Sequence, residues 1–384
     1  MKDITIVGGG PAGAYLGYCL AQRGIEATIY DDSHPREKPC GGGVTPFVLD
    51  RFPIVKGVPT SQRYVNKMLF ISPSGRQLMA SGRTLMNVSR QHFDGYLLDQ
   101  AVKAGAGLVR DKVIDMKQSA DGWLVRTTQE GFQTKLLVGA EGVNSLVRSA
   151  TVGRISNDNL GVCAGCMVRG VERDYSMMRF LRNCDGYVWV FPRDDHSSIG
   201  VGTRIGGGGK LRGYLEAFIE EHCPRVERLS RWGALIPTIR DLRFYDIPCA
   251  GENWVLIGDA AGHVDPILGE GIRYALWSAE LAAQAIAEGN PAKYDAMWRE
   301  AYLPDLKKAC RLSPYFYKPW FLNLSLGIAS RSRALEWQLT GIVSSETSYV
   351  GLKRRTAARL PLIAAQMISS YFRGEREPGE SSSL

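Results

Sequence analysis

The amino-acid sequence predicts an α/β fold, with a second region rich in strands and a helical C-terminal region. Three observations predict it. An apolar strand at residues 3–7 enters a helix through a glycine-rich turn, and further strand–glycine turns follow at 136–148 and 254–275. Residues 151–244 have strand-like patterns around a single helix, predicted at 211–222. Helical periodicity returns after about residue 305.

Length and composition are those of a folded protein with more than one core. The chain has 384 residues, of which 45% are hydrophobic and 22% charged. It shows no secretory signal and no uninterrupted apolar run of the about 20 residues that cross a bilayer. We therefore expect a cytoplasmic protein. The polar segment 374–384 is expected to be frayed.

The eight cysteines are scattered, and two of them, Cys163 and Cys166, form a C-x-x-C. This spacing occurs in zinc sites and in redox disulfides, but zinc needs a second ligand pair at similar spacing, and none follows. We predict no metal site. The pair lies in an apolar, strand-like run at 160–168, which favours a buried structural pair.

The N-terminal glycines have the spacing G-x-G-x-x-G, at Gly8, Gly10 and Gly13. They join the first strand to a helix at 12–23, and Asp31 ends a second strand. Gly8 permits the tight turn, Gly10 lets the backbone approach a pyrophosphate, and Gly13 permits close helix packing. The pyrophosphate would lie at the positive end of the helix, with Asp31 on a ribose hydroxyl. This context predicts a Rossmann-type dinucleotide site.

The two later strand–glycine turns resemble the FAD-binding segments of the p-hydroxybenzoate-hydroxylase-like superfamily. The resemblance implies that Asp259 hydrogen-bonds the ribityl chain and that Arg90 lies along the cofactor. Glu141 stands where that superfamily more often has Asp. A helix N-cap is the structural alternative for Asp259. The helix that starts near residues 269–271 would point its positive end at the flavin.

Three further stretches narrow the resemblance. They are K-P-C-G-G-G at 38–43, G-Y-V-W-V-F-P-R at 186–193 and G-D-A-A-G-H-V-D-P-I-L-G-E-G-I at 258–272. Together they are similar to the geranylgeranyl reductase family, in segments from residue 1 to about 287. The cofactor-binding residues expected from both resemblances are Gly8, Gly10, Pro11, Ala12, Gly13, Asp31, Cys40, Gly41, Gly42, Arg90, Val113, Glu141, Gly258, Asp259, Gly269, Gly271 and Ile272.

The family resemblance implies reduction of isolated carbon–carbon double bonds in a polyprenyl chain. Reduced FAD would give hydride from its N5 atom, and a proton would be added to the other alkene carbon. An isolated alkene accepts hydride poorly, so we expect an apolar, dry site furnished with one acid. The substrate would be a lipid, pigment or quinone.

Two residues are candidate catalytic groups. Cys40 lies in a glycine-flanked loop expected near the flavin, where it would donate the proton or only shape the pocket. His263 would assist protonation or only cap a loop. Tyr187, Trp189 and Phe191 alternate at strand spacing and therefore share one face of a sheet. Ordinary sheet core would explain that pattern, but the resemblance favours a wall that lines the substrate.

The predicted domain division is discontinuous. Residues 1–44, 87–150 and 245–304 would form the FAD-binding domain, 45–86 and 151–244 an inserted mixed β-sheet substrate domain, and 305–384 the helical region. Four glycines at 206–209 are interpreted as a flexible connection. They lack the strand and acid of a second nucleotide-binding unit, so we expect electrons from transiently docked NADPH or from another protein.

The net charge of +8 is concentrated at the C-terminal end. From residue 305 onward twelve Lys or Arg face six acids, and aromatic residues are frequent. This pattern suggests peripheral contact with an anionic membrane surface, although a helical cap over the substrate tunnel explains it as well. No nucleic-acid-binding motif accompanies the charge, so no nucleic-acid partner is expected.

Three other functions share these FAD segments. A monooxygenase of aromatic or polyketide substrates would consume oxygen and hydroxylate its substrate. A flavin-dependent halogenase usually carries W-x-W-x-I-P, which is absent from this sequence. A non-catalytic flavoprotein or prenyl carrier would tolerate disrupted motifs, and here the motifs are intact. The sequence therefore favours the reductase.

Overall fold

The computed structural model describes residues 2–59, 62–204 and 209–372. The strands in this part of the chain are β1 (Lys2–Val7), β2 (Thr28–Tyr30), β3 (Gly43–Val44), β4 (Gln62–Ile71), β5 (Gln77–Val88), β6 (Gly107–Val109), β7 (Val113–Ser119), β8 (Gly122–Thr127), β9 (Gly131–Gly139), β10 (Leu160–Arg169), β11 (Ser176–Phe180), β12 (Gly186–Pro192), β13 (Ser197–Arg204), β14 (Glu227–Pro237) and β15 (Trp254–Leu256).

The helices in the same residues are α1 (Pro11–Ala21), α2 (Pro46–Arg51), α3 (Arg90–Ala104), α4 (Leu146–Thr151), α5 (Leu211–His222), α6 (Ile272–Ala287), α7 (Lys293–Ala301), α8 (Leu303–Phe316), α9 (Pro319–Ala329), α10 (Arg333–Val343) and α11 (Leu352–Phe372). The predicted helix 211–222 begins and ends where α5 does. Residues 374–384, predicted to fray, and glycines 206–208 lie outside the described residues.

The first sheet has the strand order β6-β2-β1-β9-β8-β7, and β15 pairs with β9. Strands β6, β2, β1, β9 and β15 run parallel, while β7 and β8 add an antiparallel edge. Helices α1, α3 and α6 pack against it through fully buried apolar residues such as Ile6, Leu16 and Leu276. This is the Rossmann-type α/β fold that the glycine turn predicts.

The second sheet has the order β14-β10-β13-β12-β11-β4-β5-β3 and is almost entirely antiparallel. One face packs against α5, where Phe218 and Ile219 meet Val188 and Val190 of β12. On the other face, residues of β4, β5 and β11 pack against the helices that follow α7 and against Tyr317 and Tyr349 in the segments that connect them. The C-terminal helices therefore cover this sheet, as the predicted helical region requires.

Cys163 and Cys166 do not form the structural pair that the sequence suggested. Residues three apart in a strand point to opposite faces, and β10 is a regular strand at this point. Cys166 is buried in the core beneath α5, whereas Cys163 lines the opposite face. Both are free thiols. The same geometry removes the redox-disulfide interpretation of this C-x-x-C.

Among the described residues, no helix is long and apolar enough to span a membrane. The strands of the first sheet fall in residues 2–7, 28–30, 107–139 and 254–256, and those of the second in 43–88 and 160–237. The domain division proposed from the sequence has similar limits, but how the two parts behave as folding units stays a prediction.

Candidate flavin and substrate cleft

A cleft of about 640 Å³ runs between the two sheets. One end is formed where parallel strands of the first sheet finish, the position at which open α/β sheets bind ligands. Gly8 follows β1, Asp31 follows β2, and Ala140 follows β9. The other end is lined by strands β10, β12 and β14 of the second sheet and by the segment before α6. A volume of this size accommodates a large ligand.

The glycines of the first turn have distinct roles in the geometry. Gly8 has φ +103°, and a Cβ there would lie 2.7 Å from the carbonyl of Ala140. A Cβ on Gly13 would lie 1.9 Å from the oxygen of Gly8, which explains how closely α1 packs on β1. At Gly10 the nearest atom would be His34 Nε2, at 3.7 Å. Space is therefore left for a ligand beside the free N-terminus of α1, as a pyrophosphate requires.

Asp31 lines the cleft, but its carboxylate already has partners. Oδ2 accepts a hydrogen bond from Gly9 N at 2.6 Å and lies 2.9 Å from His34 Nδ1, while Oδ1 accepts from the backbone of Ser33 and His34. Burial opposes ionisation, yet His34 lowers the pKa of Asp31 below its usual range. Asp31 thus holds the turn as well as facing the ribose position.

His34 connects the end of β2 to helix α3. Its Nε2 lies 3.4 Å from Asp94 Oδ2, and Asp94 in turn accepts two hydrogen bonds from the Arg90 guanidinium, at 2.7 and 2.8 Å. Burial opposes the charge on His34, but the two carboxylates raise its pKa. Arg90 lines the cleft, and its guanidinium is fixed by Asp94 rather than free, so its predicted place along the cofactor stays a prediction.

Asp259 and the start of α6 close the same end. Asp259 Oδ2 lies 3.8 Å from Lys38 Nζ, and a Cβ on Gly271 would lie 3.1 Å from Asp259 Oδ1. Gly258 precedes it with φ +58° and packs against Ala12. Helix α6 begins at Ile272, and Gly271 and Ile272 both line the cleft. Of its first N–H groups, that of Arg273 donates a hydrogen bond to Glu270 Oε1.

Glu141 and Val113, two further predicted cofactor residues, also line the cleft. Glu141 Oε1 accepts a hydrogen bond from Val147 N at 2.9 Å, whereas its buried Oε2 has no hydrogen-bond partner within the described ranges. Burial raises the pKa of this carboxyl. A buried oxygen of this kind is suited to accept a hydrogen bond from a bound ligand.

The loop that contains Cys40 lies directly on the second sheet. A Cβ on Gly41 would lie 2.7 Å from the Phe191 ring, and one on Gly42, at φ +78°, would lie 2.1 Å from the carbonyl oxygen of Val88. Ser198 donates a hydrogen bond to the Cys40 carbonyl at 3.0 Å. The glycines of K-P-C-G-G-G therefore bring Cys40 to the cleft by close backbone approach.

Two residues that the sequence analysis did not assign hold this loop. Arg193 donates to the carbonyl oxygens of Gly41 and Cys40 at 3.2 and 3.4 Å, and forms a 2.9 Å ion pair with Glu37. Arg193 is the last residue of the quoted motif at 186–193, and Glu37 directly precedes Lys38, the first residue of the motif at 38–43. Nothing in the sequence pairs them, because 155 intervening residues separate the two positions.

Tyr187, Trp189 and Phe191 lie on one face of β12, as their alternation predicts, and they line the cleft. The Trp189 ring stacks on Trp232 of β14, with centroids 5.9 Å apart and planes at 28°. Trp232 was not predicted, since β14 lacks a motif. The Tyr187 hydroxyl donates a hydrogen bond to the carbonyl of Leu268 in the segment before α6. The aromatic wall is thus joined to the predicted flavin end.

His263 is not brought to the cleft. It is fully buried, 3.0 Å from the Tyr302 hydroxyl, and its ring lies 4.4 Å from the Trp298 ring. Burial and nearby arginines lower its pKa to about 3. The preceding Gly262 has φ +76°, and His263 is not among the residues that line the cleft. The interpretation of His263 as a group that assists protonation therefore has no geometric support.

The chain has several relatives of similar length. It is 30% identical to an uncharacterised protein of Methanosarcina barkeri, over 84% of this chain and 85% of the relative. It is 29% identical to the chloroplastic geranylgeranyl diphosphate reductase of Arabidopsis thaliana, over 82% and 74%, and 26% identical to the digeranylgeranylglycerophospholipid reductase of Methanococcus vannielii, over 78% and 83%. No family model matches the chain.

This chain belongs to the geranylgeranyl reductase family of FAD-dependent flavoproteins. Among solved structures, the fold is similar to a geranylgeranyl bacteriochlorophyll reductase-like protein of Thermoplasma acidophilum, with a TM-score of 0.80, 22% identity and coverage of 96% of this chain and 98% of that chain. A flavin-dependent brominase has a TM-score of 0.75 at 20% identity, over 97% and 99%. The protein is an FAD-dependent oxidoreductase.

The geranylgeranyl reductase family requires FAD, and the residues of the cleft fit it. The open space at Gly10, the N-termini of α1 and α6 at the wall of the cleft, and the orphaned Glu141 oxygen all suit a dinucleotide. Every predicted cofactor residue lines the cleft except Gly13 and Gly258, which support it from behind. His34 lines this end of the cleft as well, although none of the quoted motifs contains it.

Proposed function

We propose that this protein reduces isolated carbon–carbon double bonds in the geranylgeranyl or similar polyprenyl chain of a lipid, pigment or quinone. The observation that carries the proposal is a single cleft that joins the dinucleotide turn to an aromatic wall. Relatives named for geranylgeranyl substrates supply the substrate class. Bound FAD would supply the hydride in its reduced form.

The wall opposite the dinucleotide turn is suited to an alkyl chain. Its apolar members come from five strands and the segment before α6, and they are Met68, Leu85, Met178, Tyr187, Trp189, Phe191, Leu235, Ile236 and Ile267. A prenyl chain offers no hydrogen bonds, so its binding depends on apolar contact and exclusion of water. Trp189 and Trp232 supply a broad flat surface against which an extended chain can lie.

The test is a single turnover without oxygen. The FAD-loaded protein is reduced with dithionite and mixed with geranylgeranyl diphosphate or a geranylgeranylated lipid, and mass spectrometry follows the product. The proposal predicts flavin reoxidation together with a gain of two hydrogens per double bond. A flavin that stays reduced until air is admitted, with oxygen then gained by a product, would instead establish the alternative monooxygenase activity.

The electron donor is proposed to be NADPH that docks transiently, or a separate donor protein. In the described residues, the turn at Gly8–Gly13 is the one strand–glycine–helix unit with a following acid. Anaerobic mixing with NADPH or NADH, followed by flavin absorbance, tests this. Bleaching by NADPH alone identifies the nicotinamide donor, whereas bleaching only by dithionite points to a donor protein.

We further propose that the C-terminal helices meet an anionic membrane surface. Exposed apolar side chains are frequent there, namely Tyr315, Trp320, Leu324, Trp337, Leu360, Leu362, Ile368, Tyr371 and Phe372. Lys353, Arg354 and Arg359 lie on α11 among them, and the Arg359 guanidinium lies 4.5 Å from the Trp337 ring centre. Apolar contact and basic charge together are typical of peripheral membrane helices.

Flotation with vesicles that contain phosphatidylglycerol tests this surface. We expect the protein to float at low salt and to float less when Leu360 and Leu362 are both changed to Ser. Leu229→Ser, at an exposed position of β14, is the matched control and should leave flotation unchanged. Failure of the wild-type protein to float at low salt would remove the membrane proposal without affecting the reductase proposal.

A further inference from the structure

We propose that Glu270 donates the proton to the alkene carbon that does not receive the hydride. This inference rests on the proposed reductase function, which needs one acid in an otherwise apolar site. It replaces His263, which the fold buries elsewhere, and it competes with Cys40, which the sequence indicated. The reasons lie in the position of Glu270, in the bonding of its two oxygens, and in the state of the other proton-bearing groups around it.

Glu270 lies between two glycines that both line the cleft, one residue before the N-cap of α6. Its Oε1 accepts a hydrogen bond from Arg273 N at 2.7 Å, which fixes the carboxyl at the helix start. Within residues 2–59, 62–204 and 209–372, Oε2 has no hydrogen-bond partner, and the side chain is partly open to the cleft. One oxygen is thus anchored while the other is free to carry a proton.

The neighbouring acid, Asp265, is fully committed to structure. Its Oδ1 accepts from Ile267 N at 2.7 Å and Leu268 N at 3.0 Å, and its Oδ2 accepts from the Tyr349 hydroxyl at 2.9 Å. These bonds shape the segment that presents Glu270. Asp265 therefore positions the loop, and its carboxyl has no free oxygen with which to protonate a substrate.

The hydroxyls at this end are also occupied. Tyr187 donates to the Leu268 carbonyl and Tyr317 donates to the Ile267 carbonyl. Burial raises the pKa of both phenols above the usual range, so neither releases a proton readily. Burial likewise raises the pKa of the Cys163 thiol to about 12. Cys40 remains as a rival, and its sulfur accepts a hydrogen bond from Gly42 N at 3.3 Å.

The surroundings of Glu270 favour the protonated form near neutral pH. Burial raises its pKa to about 7, and the negative charge of Asp265 acts in the same direction, while Arg273 opposes both. Arg273 is itself shared, since its guanidinium lies 3.5 Å from Asp305 and donates to the Tyr274 hydroxyl. A carboxyl of this kind is matched to general acid catalysis at physiological pH.

The step balances as follows. The alkene gains a hydride from the reduced cofactor, which is oxidised by two electrons, and a proton from Glu270 Oε2. Two C–H bonds would form, while the C=C π bond, the N5–H bond of the reduced flavin and the carboxyl O–H bond would break, and Glu270 would be left as a carboxylate. Solvent reaching the cleft returns the proton before the next turnover. Rate should therefore fall as pH rises through about 7, because only the protonated carboxyl is active.

The experiment compares Glu270→Gln, Glu270→Asp and Cys40→Ala with wild type, each loaded with FAD. Single-turnover reduction of geranylgeranyl diphosphate is measured from acidic to alkaline pH, and substrate affinity is measured separately with the oxidised protein. Infrared spectra of the oxidised protein follow the C=O stretch of the protonated carboxyl across the same pH range. Glu280→Gln, on the outer side of α6, is the matched control, since Glu280 pairs with Arg51 at the surface.

We expect Glu270→Gln to lose about 10²- to 10⁴-fold in rate, with substrate affinity changed by less than about tenfold. The fall in rate with pH should disappear, and the infrared band that titrates near neutral pH should be lost. Glu270→Asp should recover part of the rate, while Glu280→Gln should match wild type. That recovery, with normal FAD loading, separates loss of the acid from misfolding.

Two results would overturn the assignment. If Glu270→Gln keeps the wild-type rate and pH profile while Cys40→Ala loses activity, the donor is Cys40. If no infrared band titrating near neutral pH depends on Glu270, the carboxyl does not carry the proton. If the wild-type protein leaves the prenyl chain unreduced, the proposed reductase function fails, and the assignment of Glu270 fails with it. If the wild-type protein reduces the chain and Glu270→Gln does so equally well, only the assignment of Glu270 fails.

Discussion

The hydroxyl of Tyr187 donates a hydrogen bond to the backbone carbonyl of Leu268. This contact joins the aromatic strand of the second sheet to the segment that precedes α6 and carries Glu270. Tyr187 is also in edge contact with Trp189, with ring centroids 6.0 Å apart. The aromatic wall and the end of the cleft where the flavin is expected are therefore joined by a side chain from the quoted motif.

Removing that hydroxyl tests how far the wall positions the loop. Tyr187→Phe leaves the Leu268 carbonyl without its partner, so we expect the free energy of unfolding to fall by about 1 kcal/mol. Turnover should also fall, since the segment before α6 loses an anchor. Urea unfolding and single-turnover rates check this. Tyr64→Phe, at an exposed position of β4, is the control and should change stability by less than about 0.5 kcal/mol.

The glycines of the first turn should separate cofactor binding from folding. Gly10→Val adds a side chain where the cleft is open, so FAD affinity should drop by tenfold or more, about 1.4 kcal/mol or above, while the cofactor-free protein keeps its stability. Gly13→Ala places its Cβ against the Gly8 carbonyl and should lower stability even without FAD.

Isothermal titration with FAD and thermal unfolding of the cofactor-free protein distinguish these two effects. If Gly10→Val bound FAD as tightly as wild type, the turn would not lie on the pyrophosphate. Equal stability of Gly13→Ala and wild type would contradict the close packing of α1 on β1.

Gly42 should tolerate no side chain. Gly42→Ala combines φ +78° with a Cβ 2.1 Å from the Val88 oxygen, so the loop that carries Cys40 must shift. We expect a loss of about 1–3 kcal/mol in stability and reduced FAD loading. Gly213→Ala in α5 is the control, because a Cβ there meets no atom within 4 Å and alanine favours helix. Thermal unfolding and flavin absorbance per protein measure both variants.

His34 should make the stability of the cofactor-free protein depend on pH. Its pKa is raised in the folded state by Asp31 and Asp94, above the unfolded value of about 6.5. The folded state therefore holds the proton more tightly, and this stabilisation is complete below about pH 6.5 and is lost as pH rises through the folded-state pKa. His34→Gln should remove this part of the decline.

Urea unfolding of wild type and His34→Gln at a series of pH values gives the difference directly. A difference in unfolding free energy that grew with rising pH, or stayed constant, would contradict the proposed charge on His34.

Local sequence signals predicted much of this molecule. The period-two pattern placed Tyr187, Trp189 and Phe191 on one face, and helical periodicity placed α5 at its observed residues. The G-x-G-x-x-G spacing predicted the tight turn at Gly8, which has φ +103°, and the close packing of α1 on β1 at Gly13. These features are encoded within short segments, so no knowledge of distant contacts was needed.

The errors and omissions share a different cause. His263 packs against Trp298 of α7, 35 residues further along the chain, and residue order alone does not reveal that contact. The pairing of Arg193 with Glu37 and of His34 with Asp94 depends on tertiary packing across distant positions. The C-x-x-C spacing suggested that Cys163 and Cys166 form a pair, but on the regular strand β10 residues three apart point to opposite faces.

The most direct test of the central claim is a single turnover in heavy water. The protein is reduced by dithionite in D₂O without oxygen and mixed with geranylgeranyl diphosphate. The mass of the product is then measured by mass spectrometry. Since both the flavin N5 hydrogen and the carboxyl proton exchange with solvent, each reduced double bond should carry two deuterium atoms. A product without deuterium, or one that changes mass only after oxygen is admitted, would contradict the account.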